Sequence, residues 1–305
     1  MTITAGVDEV GRGPLAGPVV AAAVILPDEH TIEGLRDSKK LSKKKRESLF
    51  PLIYEQAIGV GVGEVDVKTI DKINIRESTF KAMQIALNDL DTIPEKALID
   101  GYPLNNQVIP NEGIIGGDDK VDSIKAASII AKVTRDRIMD AYSIIFPEYG
   151  FENNSGYGTK KHIDALEYYR ATPIHRRSFK PVKNLMPTFK WLEENSRISW
   201  MGKKLAALYI KNNGLDIIKL DMINQSTGHI DIIAKENDHF IFIDVNTFYR
   251  DYNNLIEKRE NDFRSTIDIY CSEHSLGSNF RIDTISVILN SNKPEILHNK
   301  KIDIN

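Results

Sequence analysis

Two short apolar segments that each end in an acidic residue constrain the fold of the first half of the chain most strongly. Residues 3–8 (I-T-A-G-V-D) and 96–100 (K-A-L-I-D) have the pattern of buried strands. The run Val19–Leu26 does not alternate with polar residues, which predicts a strand buried on both faces. Helical patterns at about 75–90 and 123–140 separate the strands, so we expect an α/β sheet. Ligands of such sheets gather outside the carboxyl ends of the strands, where both acids would lie.

Weaker sequence patterns predict the remaining helices and strands of the first domain and indicate a second domain. We predict a helix from the N-cap Ser42 to about Tyr54, strands at 57–65 and 113–117, and a helix at 159–171. The pattern breaks near 187–199, and a helix at 201–212 and strands at 230–234, 240–245 and 284–289 follow. A length of 305 residues also favours two domains. We therefore predict α/β domains at 1–190 and 195–305.

Composition and charge limit the class of protein. The chain is 41% hydrophobic and 27% charged, as in ordinary globular proteins. Its single cysteine, Cys271, cannot form an intrachain disulfide, and no apolar run approaches the ~20 residues of a membrane span, so we expect a cytoplasmic protein. The net charge is −3, yet seven of the eleven residues in Arg36–Arg46 are basic, and Lys160–Lys190 holds eight basic residues against two acids. Basic flanks around an acidic centre suit a metal-dependent enzyme acting on a phosphodiester, although the first cluster equally fits a lysine-rich, solvated helix start.

Four acids stand where the pattern predicts the ends of elements. Asp8, Glu9 and Asp100 end strands, and Asp118 follows two glycines before a helix. Two carboxylates ~4 Å apart repel by about 4 kcal/mol at an effective dielectric near 20. Divalent cations relieve this repulsion, and oxygen ligands favour Mg²⁺ or Mn²⁺, two of which would hydrolyse a phosphodiester. Taken singly, each acid could equally cap a turn or a helix.

The segments around these acids resemble bacterial ribonuclease HII over about residues 3–185. The matching pieces are V-D-E-V-G-R-G-P-L-A-G-P at 7–18, S-K-K-L at 38–41, L-I-D-G-Y-P at 98–103, G-G-D at 116–118, S-I-K-A-A-S-I-I-A-K-V-T-R-D at 123–136, G-Y-G-T-K-K-H at 156–162 and H-R-R-S-F at 175–179. The resemblance implies a ribonuclease H-like fold with a mixed sheet. It also implies that Asp8, Glu9, Asp100 and Asp118 are the catalytic, metal-binding acids.

The resemblance further implies how the substrate is bound. Gly11, Arg12 and Gly13 match a loop whose backbone recognises the ribose 2′-hydroxyl at an RNA–DNA junction, and Tyr157 matches a tyrosine that packs on the neighbouring sugar. We expect phosphate contacts from the following basic residues: Lys39, Lys40, Lys160, Lys161, Arg176 and Arg177.

These matches predict a metal-dependent endoribonuclease that cuts the RNA strand of RNA–DNA hybrids and ribonucleotides embedded in duplex DNA. The products would carry 3′-hydroxyl and 5′-phosphate ends, and the cofactor would be Mn²⁺ or Mg²⁺. We expect a monomer with no obligate protein partner. Two alternatives stay open: a protein that binds hybrids or junctions without cutting, and a DNA nuclease activity of the second domain.

Several other polar residues in the matching segments receive structural interpretations. We expect Asp136 to orient a basic side chain or cap a turn, and His162 and His175 to be structural or to contact phosphate. The run Ala126–Ala131 should pack in the core. The family often has His-Lys where this chain has Asn154-Ser155, which removes positive charge near the expected groove.

Residues 199–290 resemble the YraN family, which has a restriction-endonuclease-like fold of the PD-(D/E)xK type. The matching pieces are W-M-G-K-K-L-A-A at 200–207, G-H-I-D-I-I-A at 228–234, F-I-D-V-N-T at 242–247 and R-I-D-T-I-S-V at 281–287. The catalytic lysine position holds Asn246, the glutamate before Asp231 is His229, and Lys203 or Lys204 replaces an early helix acid. Asp231 and Asp244 could still hold a cation. Without the lysine, we expect this domain to be inactive.

Overall fold

The computed structural model describes residues 2–224, 227–249, 263–277, 280–290 and 293–301. The chain divides into two compact units, Met1–Asp140 with Tyr149–Met186, and Ala141–Glu148 with Pro187–Asn305. The first unit therefore ends at the start of the predicted break, whereas the sequence did not indicate that residues 141–148 belong with the second unit. Parts of the predicted second domain, residues 250–262 and 302–305, lie outside the described residues.

The first unit is built on a five-stranded mixed sheet with the order β3-β2-β1-β4-β5. Its strands are β1 (Thr4–Val10), β2 (Val19–Ile25), β3 (Gly59–Val65), β4 (Lys96–Asp100) and β5 (Asn111–Ile114). Strands β1 and β4 are parallel, as are β4 and β5, whereas β2 is antiparallel to both β1 and β3. Every residue of β2 is buried, which confirms the prediction from its unbroken apolar run.

Helices cover both faces of this sheet, with α2 (Val67–Asn88) on one face and α1 (Lys43–Gln56) and α3 (Asp122–Ile145) on the other. The unit also contains α4 (Phe151–Asn154) and α5 (Lys160–Tyr169). One core contains alternate β2 residues with Ala82, Met83 and Ala86 of α2, and the other contains the remaining β2 residues with α1 and α3. Gly63 permits close packing of α2, because a Cβ there would lie 2.0 Å from the Ala82 carbonyl oxygen.

Several predicted elements of the first unit have different bounds, among them α2 and β5. Helix α2 begins at Val67 rather than Ile75, with Asp66 as its N-cap, and Asn74 interrupts it at φ 68°. Strand β5 ends at Ile114 rather than residue 117, because Gly116 adopts a left-handed conformation and starts a turn. Ser42 and Thr159 cap α1 and α5, the first as predicted.

The second unit contains a second five-stranded mixed sheet with the order β10-β9-β8-β7-β6. Its elements are α6 (Phe189–Glu194), α7 (Ile198–Asn212), β6 (Asp216–Asn224), β7 (Gly228–Glu236), β8 (His239–Tyr249), α8 (Phe263–Glu273), β9 (Phe280–Leu289) and β10 (Glu295–Lys301). Only β8 and β9 run parallel, and the other neighbours are antiparallel. Among the described residues, no helix combines the length and apolar character needed to cross a membrane.

Candidate metal centre and nucleic-acid site

Three of the four predicted acids converge at one edge of the first sheet. Strands β1 and β4 are parallel with Val7 opposite Ile99, so the next residue of each strand, Asp8 and Asp100, lies at the same level. One carboxylate oxygen from each of Asp8, Asp100 and Asp118 lies within 4.8 Å of the others. The parallel pairing thus joins residues that are distant in sequence.

A short turn after β5 delivers the third acid. Gly116 has φ 63° and ψ 42°, a conformation that glycine adopts without steric cost, and a single 3₁₀ turn follows at Gly117–Asp119. The Gly117 N–H donates to Asp100 Oδ1 at 2.8 Å, which ties this turn to the end of β4. Asp118 is therefore fixed beside Asp100 through the backbone of its neighbour.

Electrostatics in the cluster favour a bound cation. Burial raises the pKa of Asp8 well above its usual value, and the charges of Glu9 and Asp100 raise it further. Burial also raises the pKa of Glu9, which Arg12 opposes, and burial together with Asp100 raises the pKa of Asp118. Burial and the neighbouring carboxylates disfavour ionisation despite Arg12 and Lys39, and a divalent cation would relieve this repulsion, since carboxylate oxygen atoms suit Mg²⁺ or Mn²⁺. Within the described part of the chain, no other group of three His, Cys, Asp or Glu residues has ligand atoms this close together.

Two serines that the sequence analysis did not assign support the cluster. The hydrogen bond of the Ser128 hydroxyl on α3 lowers the pKa of Asp8, and Ser128 Oγ lies 2.9 Å from Ser38 Oγ, whose hydroxyl can donate to it. Asp37, also buried, accepts from the Lys39 N–H at 3.0 Å and caps the turn that carries the S-K-K segment. Both serines lie in segments that match the family, but the sequence pattern alone does not indicate their role beside the acids.

The predicted recognition loop and tyrosine lie side by side. The loop at Gly11–Gly13 follows β1 directly, and Arg12 Nη1 lies 3.3 Å from Glu9 Oε1. Tyr157 is 45% exposed, and its Cε1 lies 3.4 Å from where a Cβ on Gly13 would stand. The loop therefore contacts Glu9 through Arg12 and borders the exposed Tyr157 ring at Gly13.

Most of the predicted phosphate-binding residues lie on the surface. Lys39 Nζ is 4.0 Å from Asp118 Oδ2, and its side chain is 80% exposed. Lys40 pairs with Asp119, next to the cluster. Lys160, Lys161 and Arg177 are exposed as well. Phosphate contacts from these five residues stay a prediction.

The prediction for Arg176 is wrong, because its side chain is fully buried. Its guanidinium donates to the backbone carbonyl oxygens of Gly11, Arg12, Gly17 and Pro18, so it cannot reach a phosphate on the surface. A basic residue in a basic segment gave no sign of burial, since most arginines are exposed.

His162 and His175 form a buried pair with Nε2 atoms 3.0 Å apart. The Tyr157 carbonyl can only accept, so His162 Nδ1 carries the proton, and the Thr172 N–H makes His175 Nδ1 an acceptor. His175 Nε2–H then donates to His162, and both rings are neutral, consistent with burial lowering the pKa of each. Their role is structural, one of the two roles expected.

The other structural interpretations also agree with the geometry. Asp136 pairs with Lys132 at 2.6 Å and Arg46 at 3.5 Å, so it orients basic side chains as predicted. Residues 126, 127 and 129–131 are fully buried, as expected of a core segment. Asn154 is also buried, and its Oδ1 accepts from the Gly156 N–H at 2.8 Å. This asparagine therefore shapes the turn before Tyr157 from inside the fold.

Comparisons with known proteins agree with this site. Residues 5–182 match the profile of the family described as Ribonuclease HII. This chain belongs to the ribonuclease HII family. The ribonuclease HII of Enterococcus faecalis is 55% identical over 184 residues, covering 60% of this chain and 72% of the relative, and that of Bacillus subtilis is 54% identical over 182 residues, covering 60% and 71%. Membership confirms the predicted class, a metal-dependent endoribonuclease.

Solved structures of the family share the fold of the first unit. Ribonuclease H2 from Pyrococcus horikoshii superposes with a TM-score of 0.53 at 31% identity, covering 60% of this chain and 96% of that one. The RNase HII in a PCNA:RNase HII complex from Archaeoglobus fulgidus gives 0.50 at 28% identity, covering 62% and 99%. These similarities confirm the predicted ribonuclease H-like mixed sheet.

The second unit matches a different family and has a different cluster. Residues 202–287 match Uncharacterised protein family UPF0102, a YraN-like family, as predicted. Asp231 Oδ1 lies 3.1 Å from both Lys203 Nζ and His229 Nε2, and its Oδ2 accepts from the Val245 N–H at 2.9 Å.

Lys203 also pairs with Asp221, whereas Lys204 is buried 3.0 Å from Glu148. Of the two candidate lysines, Lys203 is therefore the one beside the acids. A lysine ammonium occupies one contact with Asp231, and the expectation that Asp231 and Asp244 could hold a cation stays a prediction.

Proposed function

We propose that the first unit cuts the RNA strand of RNA–DNA hybrids, and ribonucleotides embedded in duplex DNA, on the 5′ side of a ribonucleotide. The products carry 3′-hydroxyl and 5′-phosphate ends. Membership of the ribonuclease HII family supports endonucleolytic cleavage of RNA–DNA hybrids. The observation that carries the finer proposal is that Asp8 and Glu9 lie on the strand that leads into the Gly11–Gly13 loop, while Arg12 of this loop pairs with Glu9 and Tyr157 lies against Gly13.

The residues of the cluster have distinct tasks. Asp8, Asp100 and Asp118 hold the metal, with Glu9 completing the ligand set, and we propose two Mg²⁺ or Mn²⁺ ions during catalysis. Bound ions of this kind supply Lewis acidity that lowers the pKa of water and stabilises the leaving oxygen. Arg12, the middle residue of the substrate loop, pairs with Glu9 at 3.3 Å and so links the loop to the acids.

The loop and the surface lysines bind the nucleic acid. A backbone free of a side chain at Gly13 lets the ribose approach closely, whereas Gly11 makes room for Arg135, whose Nε would lie 2.3 Å from a Cβ there. The 2′-hydroxyl is the group that separates RNA from DNA. Tyr157 stacks on the adjacent sugar. Lys39, Lys40 and Lys160 contribute affinity through phosphates without reading the bases.

The test is cleavage of a duplex DNA that contains one ribonucleotide, with Mg²⁺, with Mn²⁺ and with EDTA. The expected result is a single metal-dependent nick on the 5′ side of the ribonucleotide, and an all-deoxy duplex of the same sequence stays intact. Tight binding of the substrate with no nick in either metal would instead support the alternative of a non-cleaving binder. Cutting of the all-deoxy duplex would indicate a DNA nuclease in the second unit.

A further inference from the structure

Two arginines in the core of the first unit are buried without an acidic partner. Arg135 and Arg176 are each fully buried, and neither forms an ion pair with an Asp or Glu in the described segments. Burial lowers the pKa of Arg135 to about 10 and that of Arg176 to about 9. Burying a cation without an ion-pair partner costs folding free energy, so its hydrogen bonds have to compensate for the lost solvation.

Each guanidinium donates only to backbone carbonyls. Arg135 binds the carbonyl oxygens of Pro18 at 2.9 Å, Ser155 at 2.9 Å and Ala16 at 3.1 Å. Arg176 binds those of Arg12 at 2.8 Å, Gly17 at 3.1 Å and Pro18 at 3.2 Å, and it also binds the Gly11 carbonyl. Together they fix the loop between β1 and β2, which has no regular strand pairing of its own.

The carbonyls bound by Arg176 determine where two N–H groups point. In a trans peptide the C=O and N–H point in opposite directions, and the cis bond among the described residues is elsewhere, at Lys180–Pro181. With the Gly11 and Arg12 carbonyls held inward by Arg176, the N–H groups of Arg12 and Gly13 point away from the core. Neither N–H donates to an acceptor within the parts of the chain that the structure describes.

Two of the three carbonyls bound by Arg135, those of Ala16 and Ser155, belong to peptides whose N–H groups are already used. The N–H that follows Ala16 is that of Gly17, which donates to Ile174 O at 2.9 Å. The N–H that follows Ser155 is that of Gly156, which donates to Asn154 Oδ1 at 2.8 Å. Arg135 therefore holds the loop without exposing a donor, and only Arg176 links the buried charge to free N–H groups.

We propose that Arg176 is a specificity-determining positioning residue, which presents the Arg12 and Gly13 N–H groups to the ribose 2′-oxygen of the substrate. The guanidinium fixes the direction of both peptides and polarises them, because hydrogen bonds in a chain strengthen one another. It never touches the nucleic acid. The inference rests on the proposed function, since it assumes that this loop reads the 2′-hydroxyl.

The test compares Arg176→Lys with Arg135→Lys in the full chain. Both substitutions keep a positive charge at a fully buried position, but a lysine cannot span two carbonyls as the planar guanidinium does. The measurement is binding by fluorescence anisotropy, in EDTA, of a duplex with one ribonucleotide and of the matching all-deoxy duplex. The wild-type ratio of the two affinities is the reference.

For Arg176→Lys we expect the preference for the ribonucleotide to fall at least about tenfold, with affinity for the all-deoxy duplex unchanged. Arg135→Lys should keep the preference even if it melts at a lower temperature. In cleavage assays with Mg²⁺, Arg176→Lys should raise KM more than it lowers kcat. A preserved preference in folded Arg176→Lys, or an equal loss in both variants, overturns the proposal.

Two further outcomes are informative. If Arg176→Lys does not fold, Phe179→Leu replaces it, because the Phe179 ring lies 5.1 Å from the guanidinium and its removal loosens Arg176 without deleting it. Folded Phe179→Leu should lose part of the preference, and an unchanged ratio overturns the inference. Absence of any ribonucleotide preference in the wild-type protein would refute the proposed reading of the 2′-hydroxyl instead.

Discussion

Replacing Asp8 by asparagine should make the metal-free protein more stable while it abolishes cleavage. Asp8 is 5% exposed, and its carboxylate lies within 4.8 Å of two others. At that distance and an effective dielectric near 20, each ionised pair costs about 3.5 kcal/mol. The raised pKa of Asp8 shows that protonation relieves part of this cost. Asparagine keeps an oxygen for the Glu9 N–H, now 2.7 Å from Asp8 Oδ1, and removes the charge.

We expect Asp8→Asn in EDTA at pH 8 to raise the free energy of unfolding by about 1–3 kcal/mol, or the melting temperature by about 3–9 °C. The sign follows from the pKa. A carboxyl group with a raised pKa in the folded state costs stability once it ionises, so the advantage of the variant should vanish in acid and grow as the pH rises. The assay is thermal unfolding over this pH range, with and without Mn²⁺.

Metal should reverse the order of the two proteins. A cation at one hundred times its Kd stabilises the wild-type protein by about 2.7 kcal/mol, and the variant, which lacks one ligand, should gain less. Asp119→Asn is the matched control, because Asp119 follows Asp118 but pairs with Lys40 at the surface. The control should show neither the gain in EDTA nor a weaker response to Mn²⁺. Equal stability of wild type and Asp8→Asn in EDTA, or equal gains with Mn²⁺, would refute the reasoning.

Three other results should follow from the described contacts. Lys203→Met removes the ammonium that pairs with the buried Asp231, so we expect the free energy of unfolding to fall by about 3 kcal/mol. Cleavage at a ribonucleotide should be unchanged, and Mn²⁺ should restore part of the lost stability. Unchanged stability in denaturant-induced unfolding would contradict this. Because the pKa values of Glu9 and Asp118 are raised, Mn²⁺ affinity measured by calorimetry should fall between pH 8 and pH 5.5, and equal affinities would argue against these ligands. Lys39→Ala should weaken duplex binding and lower the slope of log affinity against log salt by about one, whereas an unchanged slope would exclude a phosphate contact.

The sequence predicts the strands and the acids well because both depend on local patterns. The buried run of β2 and the acid at the end of β4 are visible in single segments. The predicted helix was shorter than α2, because Asn74 interrupts the helical backbone and the two turns before it were not recognised as part of the helix. Strands β6 and β10 were missed, since most of their residues are exposed or partly exposed and lack a core pattern.

The contacts that position the site could not be read from the sequence. Nothing in H-R-R-S-F shows that Arg176 is buried while Arg177 is exposed, because the difference depends on a loop about 165 residues earlier in the chain. The serine pair of Ser38 and Ser128 is equally non-local, because its members are 90 positions apart in the sequence. Sequence patterns therefore identify the chemical groups of the site, whereas the contacts that hold these groups in position depend on the tertiary structure.

The two units meet the same electrostatic problem in opposite ways. In each, acids lie close together on a mixed sheet, and repulsion between them must be balanced by positive charge. In the first unit Lys39 lies 4.0 Å from Asp118, yet the pKa values of Asp8 and Asp118 stay raised, so a divalent cation would supply the balancing charge. The second unit supplies its own cation, Lys203 of α7, which lies between Asp231 and Asp221. A lysine ammonium balances charge but cannot lower the pKa of a bound water as a divalent ion does, so the second unit can keep its fold without keeping a hydrolytic site. Divalent cations should accordingly stabilise the first unit and leave the second unchanged.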